Sequence, residues 1–177
     1  MLRKSHKNAP CPMARGIERV GDPWSILILR EAFYGSTRFD EFQKRLSIAP
    51  NMLTRRLNTL VEAGLMARRQ YSAHPPRDDY VLTDLGHDFR PVLLTLLEWG
   101  NRHFAPEGEI VRLVDRHSGR PVQVALVDTA TGKPITEADH YIEAGPAASA
   151  GLRARLEQAA CATQTHTGNT ASATGAF

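Results

Sequence analysis

The chain has 177 residues, 42% of them hydrophobic, enough for one domain with an appendage and a real core. Its net charge of +3 is unevenly spread: residues 1–104 hold 16 Lys and Arg against 11 Asp and Glu, whereas residues 105–177 hold 6 against 8, so the first part suits a polyanionic partner. The longest apolar run, Ile26 to Leu29, falls far short of the ~20 residues of a membrane span, and the basic N-terminus lacks an apolar stretch and so is not a secretory signal; a cytoplasmic chain with reduced thiols and no membrane partner is expected.

Cys11 and Pro12 open a first helix in which Met13, Ile17 and Val20 recur at helical spacing, and Gly21-Asp22-Pro23 stops it. A second helix from Trp24 to about Tyr34 is apolar on most sides, the mark of a central core helix, and Gly35 ends it. Thr37 and Asp40 are expected to form a capping box for a third helix with Phe39, Phe42 and Leu46 on one stripe. After Ser47-Ile48-Ala49, Pro50 starts a fourth helix that buries Leu53, Leu57, Leu60 and Val61 and stops at Gly64. Leu65–Tyr71 and Tyr80–Leu82 read as two strands joined through residues 72–77. Thr83 then caps one long fifth helix from Asp84 to about Phe104. Its seam of Leu93, Leu97, Gly100 and Phe104, widened by Leu94, Leu96 and Trp99, needs a second surface to cover it. That cover is either a homodimer partner meeting Met13, Ile17, Leu93, Leu97, Trp99, Gly100 and Phe104, or residues 105–144 folded back over the helix.

Residues 105–144 hold two related turns, Arg116-His117-Ser118-Gly119-Arg120-Pro121-Val122 and Thr129-Ala130-Thr131-Gly132-Lys133-Pro134-Ile135. Val122, Val124, Leu126 and Val127 between them read as strand, so a pair of β-hairpins is expected. From Gly145 the chain is rich in Ala, Thr, Gly and Ser; it is expected to be disordered, with a transient helix at most from Leu152 to Ala160. The expected organisation is thus a flexible basic arm (1–10), a DNA-binding and dimerisation domain (11–104), a β-rich extension (105–144) and a low-complexity tail (145–177).

At 100° per residue, Asn51, Thr54, Arg55 and Asn58 cluster opposite the leucines of the fourth helix, with Arg56 on the flank. Asn pairs bidentately with adenine and Arg with guanine, so this face is chemically fit to read base edges. Exposed Asn and Arg also make an ordinary solvated helix face; the preceding helix and the following hairpin favour the reading face. Arg38, Arg68, Arg69, His74 and Arg77 lie where phosphates would be met, a role that needs only a cation within reach. No nucleotide loop, glycine fingerprint or metal-ligand cluster is present, so neither an enzyme, a cofactor nor a metal is expected.

The ordered set Cys11-Pro12, Trp24, Ile26–Glu31, Arg38–Phe42, Met52–Leu57, Leu60–Leu65, Pro75–Arg77, Tyr80–Gly86 and Trp99-Gly100 resembles the HxlR-type family of bacterial winged-helix regulators over about residues 11–104. The resemblance implies an α+β winged helix-turn-helix with dimerising terminal helices. It implies a homodimer on double-stranded DNA, with helix 50–63 in the major groove of an inverted-repeat operator and wing 65–82 on the backbone. Asp22-Pro23 departs from the family's frequent glycine-lysine pair, and Asp78-Asp79 makes the second wing strand more acidic than is usual. Relatives with a similar extension carry cysteines at its turns, resembling a zinc ribbon; here Ser118 and Thr131 stand there, and His117 and His140 alone do not complete a tetrahedral site.

Cys11 has two readings. At a helix N-terminus behind Arg3, Lys4, His6 and Lys7, its thiolate would be favoured and reactive, and relatives using a cysteine here to sense oxidants or electrophiles imply the same role. It also fits a small buried dimer anchor. A repressor answering a small-molecule effector without redox chemistry, and a winged helix that binds protein rather than DNA, complete the alternatives.

Overall fold

The computed structural model describes residues 5–74 and 76–170. Within these, residues 5–7 and 13–125 form one compact unit, and residues 8–12 with 126–170 form another. The element order is α1 (Pro12–Val20), α2 (Pro23–Phe33), α3 (Phe39–Leu46), α4 (Pro50–Glu62), β1 (Met66–Ala73), β2 (Pro76–Leu82), α5 (Asp84–His87), α6 (Arg90–Phe104) and α7 (Ala150–Thr170). Among the described residues no helix is long and apolar enough to cross a membrane.

The helices α2 to α4 start and stop for local reasons. Asp22 caps α2: its carboxylate accepts from the Ser25 N–H at 3.1 Å and the Ser25 hydroxyl at 2.7 Å, and Pro23 takes the first turn, where no N–H is needed. At α3 the expected Thr37–Asp40 box is replaced by Glu41, whose Oε2 accepts from the Thr37 N–H at 2.9 Å and the Arg38 N–H at 3.1 Å. A glutamate three to four residues on reaches both amides, and Thr37 turns its hydroxyl to Asp79 Oδ1 instead (3.3 Å). Those two amide bonds hold the Glu41 carboxyl below the usual glutamate range. Gly64, at φ +75°, ends α4.

The core sits where α2, α3 and α4 meet the root of the hairpin: Ile28, Leu29, Phe42, Ile48, Leu53, Leu57, Leu60, Leu65 and Met66 are all buried. Glu31 is buried beside them, neutralised by Arg30 at 2.6 Å and by the longer reach of Arg45 at 3.9 Å, which links α2 to α3. Strands β1 and β2 pair antiparallel from Met66↔Leu82 to Ala73↔Pro76, with an irregularity between Gln70 and Ser72. The hairpin is therefore longer, and its turn much shorter, than the six-residue link expected from sequence. The Tyr80 N–H donates to Thr37 O at 2.7 Å and Arg38 bridges Asp79, so the start of α3 acts as a short third edge for the wing.

The predicted fifth helix is two helices. Thr83 caps the four-residue α5 through Gly86 N–H (3.1 Å) and donates to Gly64 O (2.6 Å). Pro91 has no N–H for a bond back into α5, so the chain restarts as α6 with this proline in its first turn. Gly86 lies against the end of β1's approach: a Cβ there would fall 2.1 Å from Leu65 O.

The extension forms less sheet than expected. Within residues 105–125 a single bridge, Val114↔Pro121, closes a loop in which Asp115 Oδ1 accepts from the Ser118 N–H and hydroxyl, both at 2.7 Å. Within residues 126–144 the same device recurs: Val127↔Pro134 closes a loop in which Asp128 accepts from the Thr131 hydroxyl at 2.6 Å and the Ala130 N–H at 3.0 Å. A carboxylate satisfies each turn from within, and the segment Val122–Val127 does not form a strand. These bonds hold Asp115 and Asp128 below the usual aspartate range. Helix α7 runs well past the expected Leu152–Ala160; Ser149 Oγ accepts from the Leu152 N–H at its start (3.3 Å), and Ala, Leu, Arg, Glu and Gln fill its first turns.

Candidate nucleic-acid interface

Helix α4 has two faces with opposite fates. Leu53, Leu57 and Leu60 are fully buried, while Asn51, Thr54 and Arg55 are exposed. The Thr54 hydroxyl donates back to Pro50 O at 2.9 Å, and Asn51 Oδ1 accepts from the Met52 N–H at 2.8 Å, which leaves the Asn51 amide donors outward. The Arg55 guanidinium has no partner among the described residues. Asn58 is half-buried and receives a hydrogen bond from Arg68, so it connects α4 to the wing and is less open than its neighbours.

Arg56 departs from expectation. It is 20% exposed and its Nη1 lies 3.2 Å from Asp22 Oδ2, while its Nε is buried without a partner. Its position at the margin of the leucine stripe turns it toward the N-terminus of α2, where the Asp22-Pro23 departure supplies the counter-charge. Arg56 therefore positions α4 against α2 and does not join the outward face.

The wing cations also divide. Arg38 stacks over the Tyr71 ring at 4.9 Å and Arg68 over the Tyr80 ring at 5.8 Å, each with its charge still exposed. Arg69, His74 and Arg77 are exposed along the hairpin; Pro75 lies outside the described residues. Asp79, which the sequence suggests would weaken the wing's potential, is half-buried and engaged with Thr37. Tyr71 is a contributor that the pattern of cations alone does not mark; an aromatic among the basic residues of a strand is its signal, and its stacking on Arg38 gives the wing a flat, cationic edge.

The predicted dimer seam splits as well. No residue of α1 or α6 is buried: Met13 is 71% exposed, Ile17 50%, Trp99 51% and Phe104 66%, with Val92 and Leu96 also exposed. Gly100 is half-buried. Leu93 and Leu97 instead turn inward, Leu93 packing on the core and both lining a cavity with α2. Cys11 is a half-buried free thiol immediately before α1. Of the cations expected near it, Arg3 and Lys4 lie outside the described residues, as does the side chain of Cys161. Among the described residues no group of three or more His, Cys, Asp or Glu is arranged to hold a metal.

The HxlR-like helix-turn-helix profile matches residues 19–108. Rv3095 of Mycobacterium tuberculosis, an HTH-type transcriptional regulator, is 37% identical over 153 residues, 86% of this chain and 94% of its own length. Two solved structures are similar across most of the chain. PA1607, a candidate transcription factor, has a TM-score of 0.72 at 42% identity and covers 80% of this chain and 100% of its own. A candidate transcription factor of Pseudomonas aeruginosa, PA1374, has a TM-score of 0.61 at 55% identity and covers 82% of this chain and 100% of its own.

Proposed function

The chain belongs to the HxlR-like helix-turn-helix family and is a transcriptional regulator, not an enzyme; from this premise we propose that it works as a homodimer on an inverted-repeat operator, with α4 in the major groove and the β1–β2 wing on the flanking phosphates. One observation carries the reading: α4 buries one face completely and leaves Asn51, Thr54 and the unpartnered Arg55 on the other. Those are groups that pair with purine edges. Arg38, Arg68, Arg69, His74 and Arg77 extend the cationic surface along the hairpin, where sequence-independent contacts set position. The exposed apolar faces of α1 and α6 supply the dimer surface: Val92, Leu96, Trp99 and His103 recur at i, i+4, i+7 and i+11 on one side of α6.

Cys11 is the proposed trigger, because it is a half-buried free thiol at the root of one of those two helices. Diamide takes two electrons and two protons from a pair of thiols, so oxidation of the two Cys11 residues of a dimer to a disulfide would re-set the arms that hold the reading helices. The Cys11→Ser protein is expected to keep its operator when diamide is added, while the wild type releases it. The DNA reading itself is tested by fluorescence anisotropy over a salt series. Affinity is expected to fall steeply with salt through counterion release, and Arg69→Gln should make the slope shallower by about 1. Salt-independent binding, or an unchanged slope, contradicts the assignment.

A further inference from the structure

Helix α6 meets α2 over a cavity of about 390 Å³ that the DNA reading does not use. Ile26, Leu27 and Phe33 of α2 and Leu93, Leu94 and Leu97 of α6 form its floor, none of them with a polar side-chain atom. The third wall is the segment Val111–Leu113, tied to α6 by the bond from Asn101 Nδ2 to Val111 O (2.6 Å). Its mouth carries three arginines and no carboxylate. Arg30 is already engaged, with Nε and Nη2 on Glu31 Oε1 at 3.1 and 2.6 Å. Arg90 and Arg112 are exposed and have no partner among the described residues.

An apolar floor under two uncompensated guanidinium groups matches one chemistry, a small apolar body with a single anionic head. We propose that this cavity is the effector site of the regulator and takes an apolar monocarboxylate, its ring or branched chain between α2 and α6 and its carboxylate on Arg90 and Arg112. The adjoining cavity along residues 121–124 shares Arg112 but adds Glu98 and Glu109, so its charged lining is net negative and less suited to such a ligand. The site adjoins the proposed dimer stripe along one edge: Leu96 lines the cavity, while Leu93 and Leu97 lie on the side of α6 away from Val92 and Trp99. Since α2 packs against α4 and α6 carries the dimer stripe, a ligand seated between α2 and α6 changes how the reading helix is held relative to the dimer.

The inference rests on the regulatory reading only for that last consequence, so binding is measured on the full chain without DNA. The probes are 1-naphthoate and its uncharged analogue 1-naphthalenemethanol, followed by fluorescence titration. The expected result is saturable naphthoate binding, with the alcohol about tenfold weaker. The Arg90→Gln/Arg112→Gln variant should lose about tenfold for naphthoate and nothing for the alcohol, and Leu97→Trp, which fills the floor, should lose both. Both arginines are exposed, so their replacement does not threaten folding. Equal affinity for acid and alcohol, an unchanged double variant, or displacement of naphthoate by inorganic phosphate would overturn the site. Naphthoate binding that leaves operator affinity unmoved would overturn its role as an effector site, whereas loss of operator recognition with naphthoate binding intact would count against the DNA reading alone.

Discussion

The segment from α2 to β2 and the helices α1 and α6 use apolar residues in opposite ways. The first closes on itself: among the described residues the nine buried core hydrophobics lie from Ile28 to Met66, drawn from α2, α3, α4, the α3–α4 turn and the entry to β1. The second buries none, although α6 alone exposes Val92, Leu96, Trp99 and Phe104. The contrast separates a reading head that is complete in one protomer from arms whose apolar surface is left for something else to cover. Burying a side chain of this size removes about 1.5–3 kcal/mol of exposure cost, so an uncovered row of them is a strong drive to associate.

Breaking the head should cost most. Leu57→Ala removes a fully buried side chain at the centre of α4 and is expected to lower stability by about 2–5 kcal/mol in urea denaturation. A loss below about 1 kcal/mol would mean that the head is not the self-sufficient unit described. Breaking the arms should instead leave the protomer folded. Leu96→Glu with Trp99→Glu is expected to give a monomer by light scattering, with unchanged circular dichroism and about a hundredfold weaker operator binding, because two half-sites no longer act together. A dimer that survives both charges would remove α6 from the interface.

Two adjacent arginines sharpen the contrast at a finer scale. Arg55→Ala is expected to weaken specific binding by about 1–3 kcal/mol with folding untouched. Arg56→Ala should do the reverse, lowering stability by about 1 kcal/mol through loss of its half-buried pair with Asp22. The same effect from both substitutions would show that α4 has no distinct inner and outer margin. The smallest effect concerns acid. Glu41 is held below its ordinary range by the Thr37 and Arg38 amides, so its contribution is complete above the unfolded-state pKa and is lost as pH falls through the lower folded value. Glu41→Gln should cost about 0.5–1 kcal/mol at neutral pH, and the gap to wild type should close between about pH 5 and pH 3. Asp115 and Asp128 follow the same sign, so the extension's two loops should loosen as pH falls through and below the ordinary aspartate range, readable by hydrogen exchange.

Much of the head was legible because its determinants are local. The spacing of Leu53, Leu57 and Leu60, prolines at helix starts, and Gly35 and Gly64 at helix ends each decide structure within one or two turns. What escaped depended on contacts between distant residues or on competition between nearby ones. The Asp22–Arg56 pair joins positions 34 apart, and the same Asp22 that departs from the family's pattern explains why Arg56 leaves the reading face. The break between α5 and α6 is signalled by Pro91, but the apolar spacing on either side of it is that of one continuous helix. The loops at Asp115 and Asp128 form only one bridge each, flanked by backbone bonds from Val122 N–H to Leu113 O and from Ile135 N–H to Leu126 O, and the turn residues do not state how far the pairing runs. The division of α6 into an inward face at Leu93 and Leu97 and an outward one at Val92 and Trp99, with Leu96 on the edge between them, depends on where α2 lies, which periodicity alone does not state.

The most direct test of the central claim is selection of bound sequences from a random duplex library with the full-length protein, repeated with Arg55→Ala. The wild-type protein is expected to enrich an inverted repeat whose half-sites lie about one helical turn apart, centre to centre, with a base preference lost in the variant. No enriched sequence at low salt, or the same motif recovered by both proteins, would contradict a dimer that reads DNA through the outer face of α4.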